Sequence, residues 1–433
     1  MRRRPLAHFC VRALVGACLF ALGGPARADS PYTWAAGPPS DPNWFMLGVW
    51  YQSYSTTRLN EYQSIGLTNY ICPTTPTNTN LSNLRSRGMK VMTTYSSGLL
   101  SLSNAGVIDG WIQMDEPDNA QADPNYTDPN HRVWGPCVNP NVIIARYNTW
   151  KAADPNRPVY LGLGQGVCWP YSQPYYGRGS GSTWAQYPLY CQGADIVTFD
   201  VYPYNARSTD PPYQNPWYVA VGVDRLRAWT NYEKPIWVHI ETTHISGSGR
   251  GGPKPYQTKA EVWMALIHGA AGIDYFSHSW VDGFHEDGIF STDPNVVDPN
   301  MPGMLAVLNA QIKSLAPQLY TADKSHVLDC NLPVNWCLRE YDGQTWLFAV
   351  GMRDSNAAAY RNYQFQLADM PASIQAEVLG EGRSVTLVNG AFQDDFSNLA
   401  VHLYRIPVPE PGTAALLVGG AAWLLRWRLR RRA

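Results

Sequence analysis

Two patterns of hydrophobic and polar positions alternate from about Trp44 to Tyr320. Short runs of apolar, β-branched or aromatic residues are separated by longer amphipathic stretches, which is typical of strands alternating with helices. We predict eight strands, at residues 45–51, 69–72, 90–95, 110–115, 158–164, 196–202, 235–241 and 273–279. Eight strands, most of them followed by a helix, predict an α/β fold: a (β/α)8 TIM barrel over residues 41–321.

The pattern changes after Ala322. Short alternating runs separated by Gly, Asn and Asp turns predict a small antiparallel β-sandwich domain over residues 323–406. Two long insertions, 118–140 and 165–182, follow the predicted strands 4 and 5. Loops at these positions lie at the catalytic face of a barrel, so we expect them to shape a cleft.

The first 28 residues have the pattern of a signal peptide. Three arginines at positions 2–4 precede a short apolar run, Ala13 to Leu22, and small residues at Ala26 and Ala28 suit cleavage before Asp29. The apolar run is short for a membrane span, which needs about 20 residues. We predict export and processing by a signal peptidase, and a retained N-terminal anchor is the alternative.

A second processing signal is predicted at the other end of the chain, over residues 408–433. Pro409-Glu410-Pro411 is followed by an apolar stretch and an arginine cluster ending at Arg432. This order resembles the PEP-CTERM sorting signal, which implies recognition by an exosortase and localisation at the cell surface or extracellular matrix of a Gram-negative bacterium. A helix over 413–425 would be about 20 Å long, shorter than a ~30 Å hydrocarbon core. We therefore expect transient membrane anchoring, with a permanent tail anchor as the alternative.

Charge argues against a nucleic-acid partner. Residues 1–28 and 412–433 each hold five arginines and no acidic residue, so the rest of the chain has 23 basic and 34 acidic side chains, a net charge near −11. Phosphate neutralisation needs clustered Lys and Arg, and no such cluster occurs in this region. Aromatic residues make up 12% of the chain, with 26 Tyr and 17 Trp against 11 Phe. Tyr and Trp rings suit stacking on sugars as well as packing.

Six cysteines follow the predicted signal peptide. An even number in an exported protein favours disulfides. We expect Cys330 and Cys337 to close a small loop and Cys137 and Cys168 to join two barrel loops, with Cys72 and Cys191 either paired or buried as thiols. No CxxC or HExxH spacing occurs, so we expect no metal site and no cofactor.

Polar groups at the ends of barrel strands are candidates for chemistry because all these ends open onto one cleft. The candidates are Asp115 and Glu116 after strand 4, Asp200 and Tyr202 after strand 6, Glu241 and His244 after strand 7, and His278 and Trp280 after strand 8. Strand alternation suggests that His239 is structural. For each candidate a purely structural role is the alternative, such as a helix start, a salt bridge, a loop anchor or core packing.

The two glutamates resemble the catalytic pair of clan A retaining glycoside hydrolases. In that clan the acid/base glutamate ends strand 4, usually in Asn-Glu-Pro, and the nucleophile ends strand 7. The resemblance implies these roles for Glu116 and Glu241, and a sugar-binding role for Trp280 and, more loosely, for Tyr202. Asp115 stands where the clan has asparagine, and its charge would tend to raise the pKa of Glu116.

These observations predict an exported glycoside hydrolase that acts on a poly- or oligosaccharide. Glycosidic cleavage needs one carboxyl group to protonate the leaving oxygen and another to attack or to activate water, and the resemblance implies retention. A family 18 chitinase relative is disfavoured because Ile112 and Met114 stand where that family has aspartates. The alternative from another class is a non-catalytic surface glycan-binding or biofilm matrix protein on the same barrel.

Overall fold

The computed structural model describes residues 28–122, 134–173, 176–179, 181–246 and 251–407. Eight parallel strands form one sheet in the order β6-β5-β4-β3-β2-β1-β8-β7. The strands are β1 Met46–Trp50, β2 Asn69–Ile71, β3 Lys90–Thr94, β4 Ile108–Ile112, β5 Val159–Leu163, β6 Ile196–Phe199, β7 Trp237–Glu241 and β8 Gly272–Phe276. Each overlaps a predicted strand, so the predicted barrel is confirmed.

Two isolated parallel bridges close the sheet into a barrel. They join β6 to β7 through Val197 and Ile236, and through Asp200 and His239. The neighbouring pairs β5–β6 and β7–β8 have longer ladders, of four and five residue pairs. The closing seam therefore has the fewest backbone contacts of these three.

The helices surround the barrel because each presents an apolar face to the outer side of the sheet. Their bounds are α1 Thr56–Ser64, α2 Asn78–Arg85, α3 Pro140–Ala153, α4 Tyr187–Gln192, α5 Tyr218–Trp229, α6 Pro255–Ile267, α7 Met301–Ser314 and α8 Ala316–Leu319. The most deeply enclosed is α6, in which nine of its 13 residues are buried. It is covered on both sides, by the barrel and by the domain that follows.

The inside of the barrel is filled by large side chains. Met46, Ile71, Met92, Tyr160 and Trp237 form a buried cluster with residues from several strands. At the N-terminal end of the barrel, the Tyr32 hydroxyl donates to the carbonyl of Ala271 at 2.7 Å and accepts from Trp237 Nε1 at 2.9 Å. The segment before β1 thus closes that end.

The C-terminal region is an antiparallel β domain. Its strands are β9 Asp323–Val327, β10 Val334–Tyr341, β11 Gln344–Gly351, β12 Tyr363–Gln366, β13 Ser373–Val378, β14 Arg383–Val388, β15 Ala391–Asp394 and β16 Val401–Pro407. They are connected in one sheet, in the order β12-β15-β14-β13-β16-β11-β10-β9. The predicted sandwich is therefore one continuous sheet, because β13 pairs with β16 and links its two halves. Residues from both halves share one buried core, so the sheet curves around it.

The β domain packs on the barrel through α6. Trp263 of this helix lies 5.5 Å from Phe348 of β11, ring centroid to ring centroid. Cys337, Phe348 and Val350 belong to the same buried cluster as the barrel helices. Apolar burial of this kind holds the two parts together.

The predicted disulfides are wrong for this structure. All six cysteines of the described chain are free thiols. Cys337 is buried in the core shared with the barrel, and Cys330 is half-buried against the same core, but the two thiols form no bond. Cys137 Sγ accepts from Ser182 Oγ at 3.2 Å, and Cys168 Sγ donates to the carbonyl of Gln165 at 3.1 Å. The thiol alternative for Cys72 and Cys191 is the one observed, because both are buried unpaired in the barrel wall.

The predicted signal peptide, apart from Ala28, and the predicted sorting tail lie outside the described residues. Among residues 28–407 as described, no helix is long and apolar enough to cross a membrane.

Gly222 of α5 tests the packing behind β6. A Cβ at this position would lie 2.1 Å from the ring of Phe199, the last residue of β6. Because overpacking of a filled core costs roughly 1–3 kcal/mol, we expect Gly222→Ala to lower the free energy of unfolding by that amount. Urea unfolding measures it. Gly303→Ala in α7 is the matched control, since its Cβ meets nothing within 4 Å, and equal destabilisation of both variants would contradict the packing described.

Candidate active site

A cavity of about 190 Å³ lies at the C-terminal ends of the barrel strands. Its lining combines carboxyl groups with aromatic side chains: Trp50, Asp115, Glu116, Gly162, Leu163, Asp200, Tyr202, His239 and Phe276. Three of the predicted substrate-binding residues, Asp115, Asp200 and Tyr202, are thus brought together with the predicted acid, Glu116.

The carboxyl groups of Glu116 and Asp200 face each other across the cavity floor and interact through a side-chain hydrogen bond. Two carboxyl groups can form such a bond only when one of them carries a proton. Burial, with the nearby negative charges of Asp115 and Asp118, raises the pKa of Glu116 from 4.5 to about 7. Burial and the charge of Glu116 raise the pKa of Asp200 well above its ordinary value. The pair therefore holds at least one shared proton near neutral pH.

The backbone at Glu116 is unusual. Its φ is +41°, in the left-handed region that residues other than glycine seldom adopt. The conformation is held by hydrogen bonds on both sides, because the amide of Glu116 donates to the carbonyl of Gly162 at 3.0 Å and its carbonyl accepts from the amide of Asn119 at 3.0 Å. Backbone strain of this kind is concentrated at functional sites. Here it lets the chain leave β4 with the carboxyl group directed into the cavity.

Asp118 supports the site from behind and was not predicted from the sequence. It is fully buried, and it accepts hydrogen bonds from the amide of Gly164 at 2.8 Å and from the Tyr187 hydroxyl at 3.0 Å. These bonds attach the loop after β4 to the loop after β5. The spacing Asp-Glu-Pro-Asp is visible in the sequence, but which aspartate turns inward depends on the left-handed residue between them.

His239, which the sequence predicts to be structural, also lines the cavity. Its Nε2 lies 2.9 Å from the Tyr160 hydroxyl, and its Nδ1 lies 3.2 Å from Asp274 Oδ2. Burial lowers the pKa of His239 to about 3, so the imidazole is neutral. The Tyr160 hydroxyl bonds to Nε2 of this neutral ring, whereas Nδ1 forms no hydrogen bond with the described residues. His239 therefore presents a fixed, uncharged ring to the cavity floor.

Aromatic side chains lead from the cavity to the surface. Tyr202 lies 5.0 Å from Phe276, which stacks at 6.4 Å with Trp280, ring centroid to ring centroid. Trp280 is 50% exposed, and Phe284 lies beside it at 5.4 Å. The predicted sugar-binding tryptophan is thus at the rim of the cavity rather than in it.

Two predicted histidines have backbone partners. His278 Nε2 lies 2.8 Å from the carbonyl of Tyr51, and its ring contacts Phe276 and Trp280 edge-on, so it supports the aromatic rim. His244 Nδ1 lies 3.1 Å from the carbonyl of Asn295, and His244 is not among the residues that line the cavity. A substrate-binding role for His244 stays a prediction.

Glu241 is separated from this cavity. Its side chain is fully buried and does not line the cavity. Its Oε1 accepts from the amide of Tyr204 at 2.7 Å, and its Oε2 accepts from the amide and the side-chain amide of Asn205 at 3.1 and 2.6 Å. Behind it, the buried carboxyl group of Glu261 on α6 makes a hydrogen bond to it. Burial raises the pKa of Glu241 to about 7.

The structure therefore does not bring together the two glutamates that the sequence pairs. Glu241 is held between the loop after β6 and helix α6, and Asp200 takes the place opposite Glu116. The nucleophile role of Glu241 stays a prediction that this position does not favour. Trp50 and Phe276 also line the cavity without having been predicted, because apolar residues at strand ends resemble ordinary core positions in the sequence. Both are the last residues of their strands, which is the signal that could have found them.

No protein-family model and no curated protein match this chain. Solved structures that resemble it include a GH30 endoxylanase from Clostridium papyrosolvens, at 11% identity over 89% of this chain and 98% of that one, with a TM-score of 0.43. A cyclomaltodextrinase gives 11% identity over 88% and 76%, with a TM-score of 0.47. A beta-galactosidase from Marinomonas ef1 gives 13% identity over 65% and 62%, with a TM-score of 0.43. At identities this low, none of them bears on the activity of this chain.

The Glu241–Glu261 pair should contribute to the dependence of stability on pH, together with the other buried carboxyl groups whose pKa is raised. The pKa of each is raised in the folded chain, so the folded chain binds protons that the unfolded chain releases above its ordinary pKa of 4.5. The free energy of unfolding should therefore fall as pH rises from about 4.5 through 7. Each tenfold difference in proton affinity between the folded and unfolded chains contributes about 1.4 kcal/mol to this loss.

Glu261→Gln removes one titrating group and keeps an N–H donor for Glu241. We expect a smaller loss of stability between pH 5 and pH 8, measured by urea unfolding. Glu340→Gln, at a half-exposed position in β10, is the control and should leave the pH dependence unchanged. An identical dependence in wild type and Glu261→Gln would show that the pair does not share a proton.

Proposed function

We propose that this chain is an exported glycoside hydrolase in which Glu116 is the general acid/base. The observation that carries the proposal is the pair of hydrogen-bonded carboxyl groups, Glu116 and Asp200, on the floor of a cavity with aromatic walls. Glycosidic cleavage needs one protonated and one ionised carboxyl group near the scissile bond. A pair that shares a proton supplies both.

In the proposed reaction, Glu116 donates its proton to the glycosidic oxygen. Burial is the main cause of the raised pKa of Asp200, and its hydrogen bond with Glu116 raises it further, so the reactive form requires the shared proton to move to Glu116 when a sugar separates the two groups. Asp200 then acts as a carboxylate on the anomeric carbon. Attack by this carboxylate breaks the bond between the anomeric carbon and the protonated glycosidic oxygen, releases the leaving group as an alcohol and gives a glycosyl ester. Water activated by Glu116 then hydrolyses the ester, which gives net retention. Entry of a sugar between the two groups replaces their mutual hydrogen bond.

Aromatic and neutral polar groups support a carbohydrate substrate. Tyr202, Phe276 and Trp280 offer ring faces from the cavity to its rim, and His239 is uncharged. Rings of this kind suit the apolar faces of sugars. The volume of about 190 Å³ is small beside the 300–1,000 Å³ of drug-sized pockets. We therefore propose that one sugar unit enters the cavity and that further units lie along the rim near Trp280.

Processing and location follow from the sequence signals. We propose that a signal peptidase removes residues 1–28 and that an exosortase recognises residues 408–433 after transient membrane anchoring. The mature protein would then act at the cell surface or in the extracellular matrix.

A second function, glycan binding without turnover, is favoured by one observation. Glu241, the predicted nucleophile, lies outside the cavity and is occupied by hydrogen bonds from Tyr204 and Asn205. If Asp200 cannot replace it, the barrel keeps its aromatic sugar contacts and loses catalysis. Such a protein would bind a polysaccharide and release no product.

Three matched substitutions separate these possibilities. On a panel of polysaccharides and aryl glycosides, we expect Glu116→Gln and Asp200→Asn each to lower kcat by roughly 10²–10⁴-fold, because proton transfer or the second carboxylate is lost. Glu377→Gln, on the exposed face of the β domain, should retain full activity.

Glu241→Gln decides between the two carboxylates. Activity that survives this change but not Asp200→Asn supports Asp200, whereas the opposite result restores Glu241 as nucleophile. An inverted anomer as first product would exclude the ester intermediate. A wild-type protein that binds sugar and hydrolyses nothing would establish the binding function instead.

The pKa of Glu116 sets the expected pH dependence. A general acid works in its protonated form, so kcat should fall as pH rises through about 7. Because the charge of Asp115 helps to raise this pKa, Asp115→Asn should move the decline to lower pH. A pH–rate profile of both proteins on an aryl glycoside measures the change, and a decline that stays in place would remove Glu116 from the acid role.

A further inference from the structure

Three potential metal ligands meet where the barrel contacts the β domain. Asp224 lies on α5, His268 follows the C-terminal end of α6, and Cys330 lies between β9 and β10. One ligand atom from each residue lies within 4.8 Å of the others. His268 is fully buried, whereas Asp224 and Cys330 are partly exposed. The three residues are far apart in the chain, and no short spacing motif signals the cluster.

The surroundings of His268 fix which ring nitrogen carries its proton. Asn335 Oδ1 lies 3.0 Å from Nε2, and the side-chain amide of Asn335 donates to the carbonyl of Asp329 at 2.9 Å. Because the amide nitrogen of Asn335 is used in this way, its oxygen faces His268 and requires a proton on Nε2. Asn335 is itself fully buried, so the arrangement is rigid.

The other nitrogen then faces a second acceptor. Asp224 Oδ1 lies 2.9 Å from His268 Nδ1. In a neutral imidazole this nitrogen has a lone pair, and a lone pair so close to a carboxylate oxygen is repulsive. The contact needs either a proton on one of the two groups or a cation bound between them.

We infer that Asp224, His268 and Cys330 form a binding site for a divalent transition-metal ion of the zinc class. Imidazole nitrogen, thiolate sulfur and carboxylate oxygen are the ligands of Zn²⁺, which binds them at about 2.0–2.3 Å in a tetrahedron. Tetrahedral ligands at such lengths lie within about 4 Å of one another, so a small closing movement suffices. Asn335 takes the orienting role that a carboxylate or carbonyl has behind most metal-bound histidines.

The site has an open side. The Asp224 side chain is 42% exposed, which gives an ion a path from solvent and leaves room for a water molecule as fourth ligand. Because Asp224 and His268 belong to the barrel and Cys330 to the β domain, a bound ion would join the two. Metal binding here would be independent of the proposed glycoside hydrolase activity.

Binding would release a proton from Cys330. A metal ligand must be a thiolate, and affinity should therefore rise with pH.

The test is direct metal binding by the full-length chain after chelator treatment. We expect one equivalent of Zn²⁺ by calorimetry, and we expect Co²⁺ to give a thiolate-to-metal charge-transfer band in the near ultraviolet. Cys330→Ser should abolish that band and weaken Zn²⁺ binding at least tenfold. Asn335→Ala, which alters no ligand, should weaken it by roughly 10–100-fold.

Cys137→Ser is the matched control, because Cys137 is a half-buried thiol of the barrel far from this cluster in the chain. It should leave the stoichiometry and the cobalt band unchanged. If the ligand variants fail to fold, protection of Cys330 from alkylation by Zn²⁺ in the wild type gives the same answer. No stoichiometric binding of either ion, or a cobalt band that survives Cys330→Ser, would show that the cluster is a His–Asp ion pair only.

Discussion

The closure of the barrel between β6 and β7 is the constraint on which the candidate site depends. Two isolated bridges cross this seam among the described residues, and one of them joins Asp200 to His239. The residues that line the cavity are therefore also residues that close the sheet. The bridge to β7 holds the backbone at Asp200, and its carboxyl group interacts with that of Glu116, after β4, in the cavity. The position of the Glu116–Asp200 pair therefore depends on the closure of the barrel between β6 and β7.

Much of the fold could be predicted from the sequence because strand and helix patterns are local. Runs such as 196–202 and 235–241 have strand character in any surroundings. The rule that strand ends share one face predicts Asp115, Glu116, Asp200 and Tyr202 at one end of the barrel, where all four line the cavity. Glu241 shows where local reasoning ends. Its direction is set by the amide groups of Tyr204 and Asn205, which the loop after β6 brings to it. The sequence pattern around Glu241 does not predict its contact with these amide groups.

The cysteines illustrate the same limit. The even number of cysteines and the predicted export of the protein favoured disulfides. A disulfide also requires two side chains to point at each other, which depends on packing. Cys337 lies in the apolar core, and Cys330, separated from it by six intervening residues, is half-buried against the same core beside Asp224 and His268. The short distance in the sequence predicts that Cys330 and Cys337 lie near each other, but it does not predict whether their side chains point at each other.

Two pairs of buried acids give this protein an unusual dependence on protons. Glu116 with Asp200 and Glu241 with Glu261 each bury two carboxyl groups in contact. Neither pair could be fully ionised without strong repulsion in a poorly hydrated environment. The first pair faces a cavity and can exchange its proton with a ligand, whereas the second is enclosed. The same electrostatic arrangement thus serves reactivity in one place and packing in the other.

Tyr32, whose hydroxyl is hydrogen-bonded to Trp237 and to Ala271, limits how a substrate can reach the cavity. Because that end is blocked and the interior of the barrel is filled, the described residues leave no passage along the barrel from the cavity to that end. A long polymer therefore cannot pass lengthwise through the barrel. In the proposed function, a polysaccharide therefore lies across the opening of the cavity, with one sugar unit inside it.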